Sequence, residues 1–254
     1  MMLKGKTAIV YGAGGAIGRA VATAFAVEGA KVYLAGRTPE TLEEAASEIR
    51  ALGGKAETAR VDALDREAVE EHIAQVEAET GRIDISFNAI WIRGDLQGTP
   101  LLEMSEEDFT APVLAGVKTH FLTASAAGRY MAKRGSGVIL TLSASSGTLP
   151  GRDRRFHRMG GFSVACSAIE SLTRSLAGEL GPEGVRVLCL RSDAIPETWG
   201  GPSSDVRKYM TDGTALNRLP TLAQIADAAV FAASGRSAAM TGAVLNLTCG
   251  SIMD

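Results

Sequence analysis

Short apolar runs alternate with amphipathic stretches from one end of the chain to the other. The runs Thr7–Tyr11, Lys31–Ala35, Ala56–Val61, Ile83–Phe87, Gly137–Leu142, Val185–Leu190 and Ala243–Leu247 read as strands. Between them Ala16–Glu28, Pro39–Leu52, Arg66–Glu79, Phe109–Met131 and Phe162–Leu180 read as helices. Seven strands separated by helices predict parallel pairing, because each crossover needs a helix to return the chain. Right-handed crossovers then predict an α/β fold, a doubly wound parallel sheet with helices on both faces. Gly53-Gly54, Gly81 and Gly181-Pro182 mark three helix ends. No linker, repeat or low-complexity tract interrupts the pattern, so residues 1–254 are expected to form one domain. The least periodic segment, Asp193–Thr214, holds Pro196, Gly200-Gly201 and Pro202 and reads as a mobile lid or a partner-binding loop.

Composition narrows the classes further. Hydrophobic residues make up 46% and charged residues 22%, enough apolar material for a sizeable core. The balance of 26 basic against 29 acidic residues, −3 overall, gives no reason to expect nucleic acid or an anionic membrane as partner. Cys166, Cys189 and Cys249 are far apart, and with no histidine cluster they predict neither a zinc site nor a disulfide framework. No run of 18 apolar residues exists, and Met1–Lys6 leads straight into the first strand. A cytoplasmic, reducing location is the expectation.

The strongest motif is Tyr11-Gly12-Ala13-Gly14-Gly15-Ala16-Ile17-Gly18, between the first strand and the first helix. A dinucleotide's phosphates need backbone N–H groups at a helix N-terminus, and glycines that let the backbone come close. Gly12, Gly15, Ile17 and Gly18 are the candidate contacts. The second strand ends in Ala35-Gly36-Arg37, where an acidic residue would hold a ribose 2′-hydroxyl. A guanidinium without that carboxylate favours a 2′-phosphate, hence NADP ahead of NAD.

Further segments carry a family likeness. Val61-Asp62-Ala63, Phe87-Asn88-Ala89-Ile90, the strand opening at Gly137-Val138-Ile139, Leu176–Val187 and Met240–Leu247 follow the glycine loop in order. Over essentially the whole length the chain resembles a short-chain dehydrogenase/reductase. The resemblance implies a Rossmann-type sheet, adenine contacts at Asp62 and Ala63, and a cofactor wall at Asn88 and Ala89. It also implies oxidoreductase activity and a homo-oligomer formed through the helices Phe109–Met131 and Phe162–Leu180. The glycine loop departs from the family's Thr-Gly-x-x-x-Gly-x-Gly and instead fits the Gly-x-x-Gly-x-x-Gly spacing of longer members.

The departures are larger at the expected reaction centre. Family members use a tyrosine and a lysine at i and i+4 of one helix, a serine on the preceding strand and an asparagine on another helix. The lysine cation lowers the phenol's pKa so that it exchanges a proton near neutral pH. Aligned on Ser175–Leu180, Gly147 and Phe109, these positions fall on Phe162, Cys166, Ala144 and Gly116. The enoyl-reductase branch places its tyrosine where Met159 stands. The family's Pro-Gly after the sixth strand is Ser192-Asp193 here.

Substitute groups are few. A one-residue slip would bring Ser143 or Ser145 to the serine position, and His157 is a weak candidate general acid. Structural roles suit His120 and Lys118, and a buried apolar role suits Cys166 better than nucleophilic chemistry. Gly151–Arg158 carries four arginines at the mouth of the expected cleft. Recognition of an anionic small molecule and a solvated loop both remain open there. Three functions follow: an NAD(P)-dependent oxidoreductase with an unusual proton donor, a pseudoenzyme serving as nucleotide-binding or assembly subunit, or a fold that no longer binds dinucleotide.

Overall fold

All five residues of strand β1, Thr7–Tyr11, are buried. Such a run needs helices over both faces of the sheet, and the fold supplies them. A computed structural model describes residues 1–90, 92–145, 158–198 and 204–253. Strands β2 (Lys31–Gly36), β3 (Lys55–Arg60), β4 (Ile85–Asn88), β5 (Gly137–Ala144), β6 (Val185–Ser192) and β7 (Val244–Leu247) complete a seven-stranded sheet in the order β3-β2-β1-β4-β5-β6-β7. Every pair is parallel. Helices α1 (Ala16–Val27), α2 (Pro39–Ala51) and α7 (Leu222–Ala233) cover one face; α3 (Arg66–Thr80), α4 (Glu106–Arg134) and α5 (Gly160–Leu180) cover the other. The winding direction reverses between β1 and β4, which opens a crevice beyond their carboxyl ends.

The expected α/β architecture is the one observed, with informative shifts at the boundaries. β5 and β6 run two residues beyond the expected ends because they pair with each other there, Ser143 with Arg191 and Ala144 with Ser192. β4 starts two residues late because Asp84 is occupied at the strand's foot. Its amide donates to the Thr7 carbonyl at 2.9 Å, and its carboxylate accepts the Thr7 amide at 2.8 Å and side-chain bonds from Lys6, Arg82 and Arg134. Burial alone would raise the Asp84 pKa, but these donors outweigh it and hold the group at about 2. The third helix end also differs in detail. Gly181 keeps right-handed geometry and continues into a 3₁₀ turn, so the reversal falls on Gly184 at φ +74°. There a Cβ would lie 2.3 Å from the Gly135 carbonyl oxygen.

Part of the segment read as a lid is regular. Pro196–Thr198 forms a 3₁₀ turn and Ser204–Asp212 forms helix α6; residues 199–203 lie outside the described residues. α7, which the periodicity reading missed, starts with a reciprocal Thr221/Gln224 cap.

Two contacts set limits on the packing. At Gly161 a Cβ would fall 1.8 Å from the Phe109 carbonyl oxygen, so α5 crosses α4 with no room for a methyl. Gly161→Ala is expected to cost about 2 kcal/mol or more in urea unfolding, through forced separation of the two helices. Beneath β1, the Tyr11 hydroxyl and both His72 ring nitrogens are buried without a hydrogen-bond partner among the described residues. Burial lowers the pKa of His72, and of fully buried His120, to about 4. An unfolded histidine titrates near 6.5, so the unfolded chain takes protons first as pH falls. Protonation is thus penalised in the folded chain, and stability falls by about 3 kcal/mol per ring as pH drops from 6.5 to 4. Urea titrations at pH 7 and pH 5 should show the decline, and His72→Phe should reduce it.

Candidate functional site

The glycine loop is built by contacts that exclude side chains. Gly12 has φ +75°, and a Cβ there would meet the Ala89 carbonyl oxygen at 2.8 Å. A Cβ on Gly18 would lie 2.3 Å from the Gly12 carbonyl oxygen. These two residues therefore stand behind the surface and fix its shape. Gly15 caps α1 with no side-chain hydrogen bond, and the first turn contains no acidic residue. A helix leaves its first-turn amides, here those of Ala16, Ile17 and Gly18, without acceptors inside the helix. Together with the positive end of the helix dipole they suit a phosphate. Ala16 is the first helical residue and lies exposed beside the exposed Gly15.

The other expected cofactor residues take different places. Arg37 is exposed just beyond the end of β2. Asp62 is exposed after β3, its carboxylate accepting the Leu64 amide at 3.0 Å, and Ala63 is buried beside it. Asn88 is buried and acts as a fastener: its amide donates to Thr123 Oγ1 at 3.1 Å and its oxygen accepts the Ile90 amide at 3.0 Å. Ala89, bonded through its amide to the Tyr11 carbonyl at 2.9 Å, lines the crevice.

That crevice is a cleft of about 670 Å³ running from Gly15, Ile17 and Ala89 to Ala144, Phe162 and Asp193. Ile92, Met159, Tyr209 and Met210 also line it, so most of the wall is apolar. The positions expected to carry proton transfer divide into two kinds. Ala144 and Phe162 face the cleft, with a methyl and a phenyl ring. Cys166 and Gly116 are buried behind it. Burial pushes the Cys166 thiol up to about 12, only partly offset by a bond from the Ala144 backbone, so it supplies neither a cation nor a thiolate at neutral pH. A Cβ on Gly116 would lie 3.0 Å from Ile92 Cγ2, 3.4 Å from Ala165 and 3.5 Å from Ile169. Hydrocarbon thus fills the space an asparagine would need.

The neighbouring polar groups are tied into the scaffold. His120 Nδ1 lies 2.8 Å from the Gly116 carbonyl, and its Nε2 accepts the Leu142 amide at 3.3 Å. The ring thus caps β5 where pairing with β4 has ended at Leu140. Ser143 Oγ donates to Glu170 Oε1 at 2.8 Å and accepts from Cys189 Sγ at 3.3 Å. Glu170 in turn holds Arg191 through two bonds, Nε to Oε1 at 2.8 Å and Nη2 to Oε2 at 2.7 Å, with both residues buried. Ser145 Oγ donates to Asp193 Oδ1 at 3.1 Å. His157 and residues 151–157 of the arginine cluster lie outside the described residues, while Arg158 is exposed. Among the described residues no group of three His, Cys, Asp or Glu side chains converges as a metal site.

The Glu170–Arg191 pair escaped the sequence reading. Its signal was a charge at a core position of an apolar helix, matched by an opposite charge inside an apolar strand. Breaking one partner strands a buried charge: Glu170→Ala should lose about 3–5 kcal/mol in urea unfolding, and Glu170→Ala combined with Arg191→Met should regain part of it. At the glycine loop, a Cβ on Gly15 meets only the Gly12 carbonyl oxygen at 3.4 Å. Gly15→Asp should therefore fold, gain a helix cap, and weaken dinucleotide binding about tenfold or more by placing a carboxylate at the phosphate position.

A parallel sheet with its crevice at the switch point, and a glycine-shaped helix N-terminus opening into it, defines a Rossmann-type α/β protein. Comparison with known proteins refines the class. The family described as Enoyl-(Acyl carrier protein) reductase matches residues 12–251. An uncharacterized oxidoreductase of Thermotoga maritima is 34% identical, with 99% of each chain covered. A 3-oxoacyl-(acyl-carrier-protein) reductase of Chlamydia muridarum is 30% identical over 98% of each chain. The crystal structure of a short-chain type dehydrogenase/reductase from Mycobacterium marinum superposes with a TM-score of 0.88 at 30% identity, covering 99% of this chain and 97% of that one. The chain belongs to the short-chain dehydrogenase/reductase family.

Proposed function

We propose that this chain binds NADP(H) in the cleft and does not carry out the proton-coupled carbonyl chemistry of its relatives. The observation that carries this reading is the contrast within one cleft. The helix N-terminus at Gly15–Ile17 is open for a pyrophosphate, whereas Phe162 and Ala144 face the reaction end and Cys166 and Gly116 are sealed behind it. The residues present fit the cofactor: Gly12 and Gly18 shape the cradle, the α1 amides would take the pyrophosphate, and Ala89 and Ile90 would wall the nicotinamide half. Arg37, exposed after β2 with no acidic residue beside it on that strand, supports the 2′-phosphate of NADP over the 2′-hydroxyl of NAD. When bound, a nicotinamide cofactor supplies hydride, and that chemistry needs mainly positioning. A phenyl ring at position 162 gives and takes no proton, so the chain reads as a nucleotide-binding pseudoenzyme.

The exposed Leu114 and Phe121 on α4 and Val164 on α5 support a homo-oligomer through those helices. The arginines at 152, 154, 155 and 158 support an anionic small molecule as a ligand. Three unpaired cysteines support a reducing cytoplasmic setting; among the described residues no helix is long and apolar enough to cross a membrane.

The test pairs binding with turnover. NADPH fluorescence titration should show saturable binding, and NADPH oxidation against a ketone, a quinone and an enoyl-thioester should show none. Turnover abolished by His157→Ala would replace the pseudoenzyme with an oxidoreductase using an unusual acid. Absence of binding would overturn the dinucleotide reading altogether.

A further inference from the structure

Three carboxylates are buried among the described residues: Asp84, Glu170 and Asp193. Asp84 is bonded by Lys6, Arg82 and Arg134, and Glu170 is bonded in two places by Arg191. Asp193 differs from both. It is 7% exposed, lines the cleft, and has no Lys, Arg or His partner among the described residues. Its two hydrogen bonds, from Ser145 Oγ at 3.1 Å and from the Ala194 amide at 2.7 Å, both end on Oδ1. Among the described residues Oδ2 accepts none. It is left to whatever occupies the cleft.

Burying a carboxylate without a compensating cation is costly, and such a group lining a pocket marks a site where a ligand could supply the counter-charge. Asp193 follows β6, on the half of the sheet opposite Arg37 and Asp62, and shares the cleft with Ala144 and Phe162. A dinucleotide with its pyrophosphate at Gly15–Ile17 and its adenosine toward β2 must put its nicotinamide on that half. The ring is cationic when oxidised and neutral when reduced. The apolar wall of Ile92, Ala144, Phe162 and Met210 weakens screening and so strengthens an attraction confined to the oxidised form.

We propose that Asp193 is the anionic side of a subsite for the oxidised nicotinamide ring, so that the chain holds NADP+ in preference to NADPH. This rests on the dinucleotide reading above and adds to it a choice of redox state. Ser145 acts as the positioning residue, holding Oδ1 of the cleft-lining carboxylate.

Calorimetric titration of the full chain with NADP+ and with NADPH tests the inference. The wild type should bind NADP+ about tenfold or more tightly than NADPH, as an opposite charge at short range implies. Asp193→Asn keeps an acceptor for Ser145 and Ala194 and should bring the ratio close to one, mainly by weakening NADP+. If the asparagine variant does not fold, Asp193→Ser is measured in the same way. A wild-type ratio near one or in favour of NADPH, or a ratio unchanged in the variant, overturns the subsite while leaving dinucleotide binding intact. Failure to bind either form overturns the dinucleotide reading, and the subsite falls with it.

Discussion

The cleft depends on a charge pair that never reaches it. Glu170 of α5 grips Arg191 of β6 and accepts the hydroxyl of Ser143 on β5, so one carboxylate ties together the three elements that wall the reaction end. Such a pair is worth little over well-packed hydrocarbon, but it is costly to break singly and it specifies register. A slip of one residue along β5 would turn Ser143 away from Glu170 and bring Ala144 or Leu142 against a carboxylate. The register placing Ala144 and Phe162 on the cleft is therefore the one that satisfies a buried charge.

Around that pin the polar groups of the site form short, closed circuits. His120 caps an unpaired amide of β5, Asn88 spans from β4 to α4, and Thr141 and Thr173 meet at 2.7 Å between β5 and α5. Each of these bonds helps satisfy polar groups that burial removes from water. The consequence for chemistry is restrictive. Side chains that look reactive in isolation, such as His120, Ser143 and Cys166, are committed to holding the walls, and burial keeps the histidine neutral and the thiol protonated. A neutral thiol also supplies no cation that would favour ionisation of a neighbouring group.

The two ends of the cleft thus obey different physics. At the phosphate end, backbone amides and a helix dipole act, and these survive almost any change of side chain provided the glycines remain. At the Ala144 and Phe162 end, what the cleft presents is set by individual side chains, which can change without disturbing the sheet. That difference explains how a chain can keep the fold and the glycine loop of its family while a methyl and a phenyl ring line the other end of the cleft.

Much of this was legible in the residues alone. The alternation of apolar runs and amphipathic stretches sufficed for seven parallel strands, because strand burial on both faces and helix periodicity are local consequences of backbone geometry. Gly12 and Gly18 pointed to a tight turn ahead of the first helix, since only glycine tolerates such close backbone approach. Phe162 and Cys166 could be placed by counting, as they sit on one continuous helix. What the residues could not reveal were relations across the sheet. Glu170 with Arg191, Ser145 with Asp193 and His120 with Leu142 are separated by 21, 48 and 22 positions. Which buried charge finds a partner, and which is left open to a ligand, depends on distances that exist only once the strands and helices have packed.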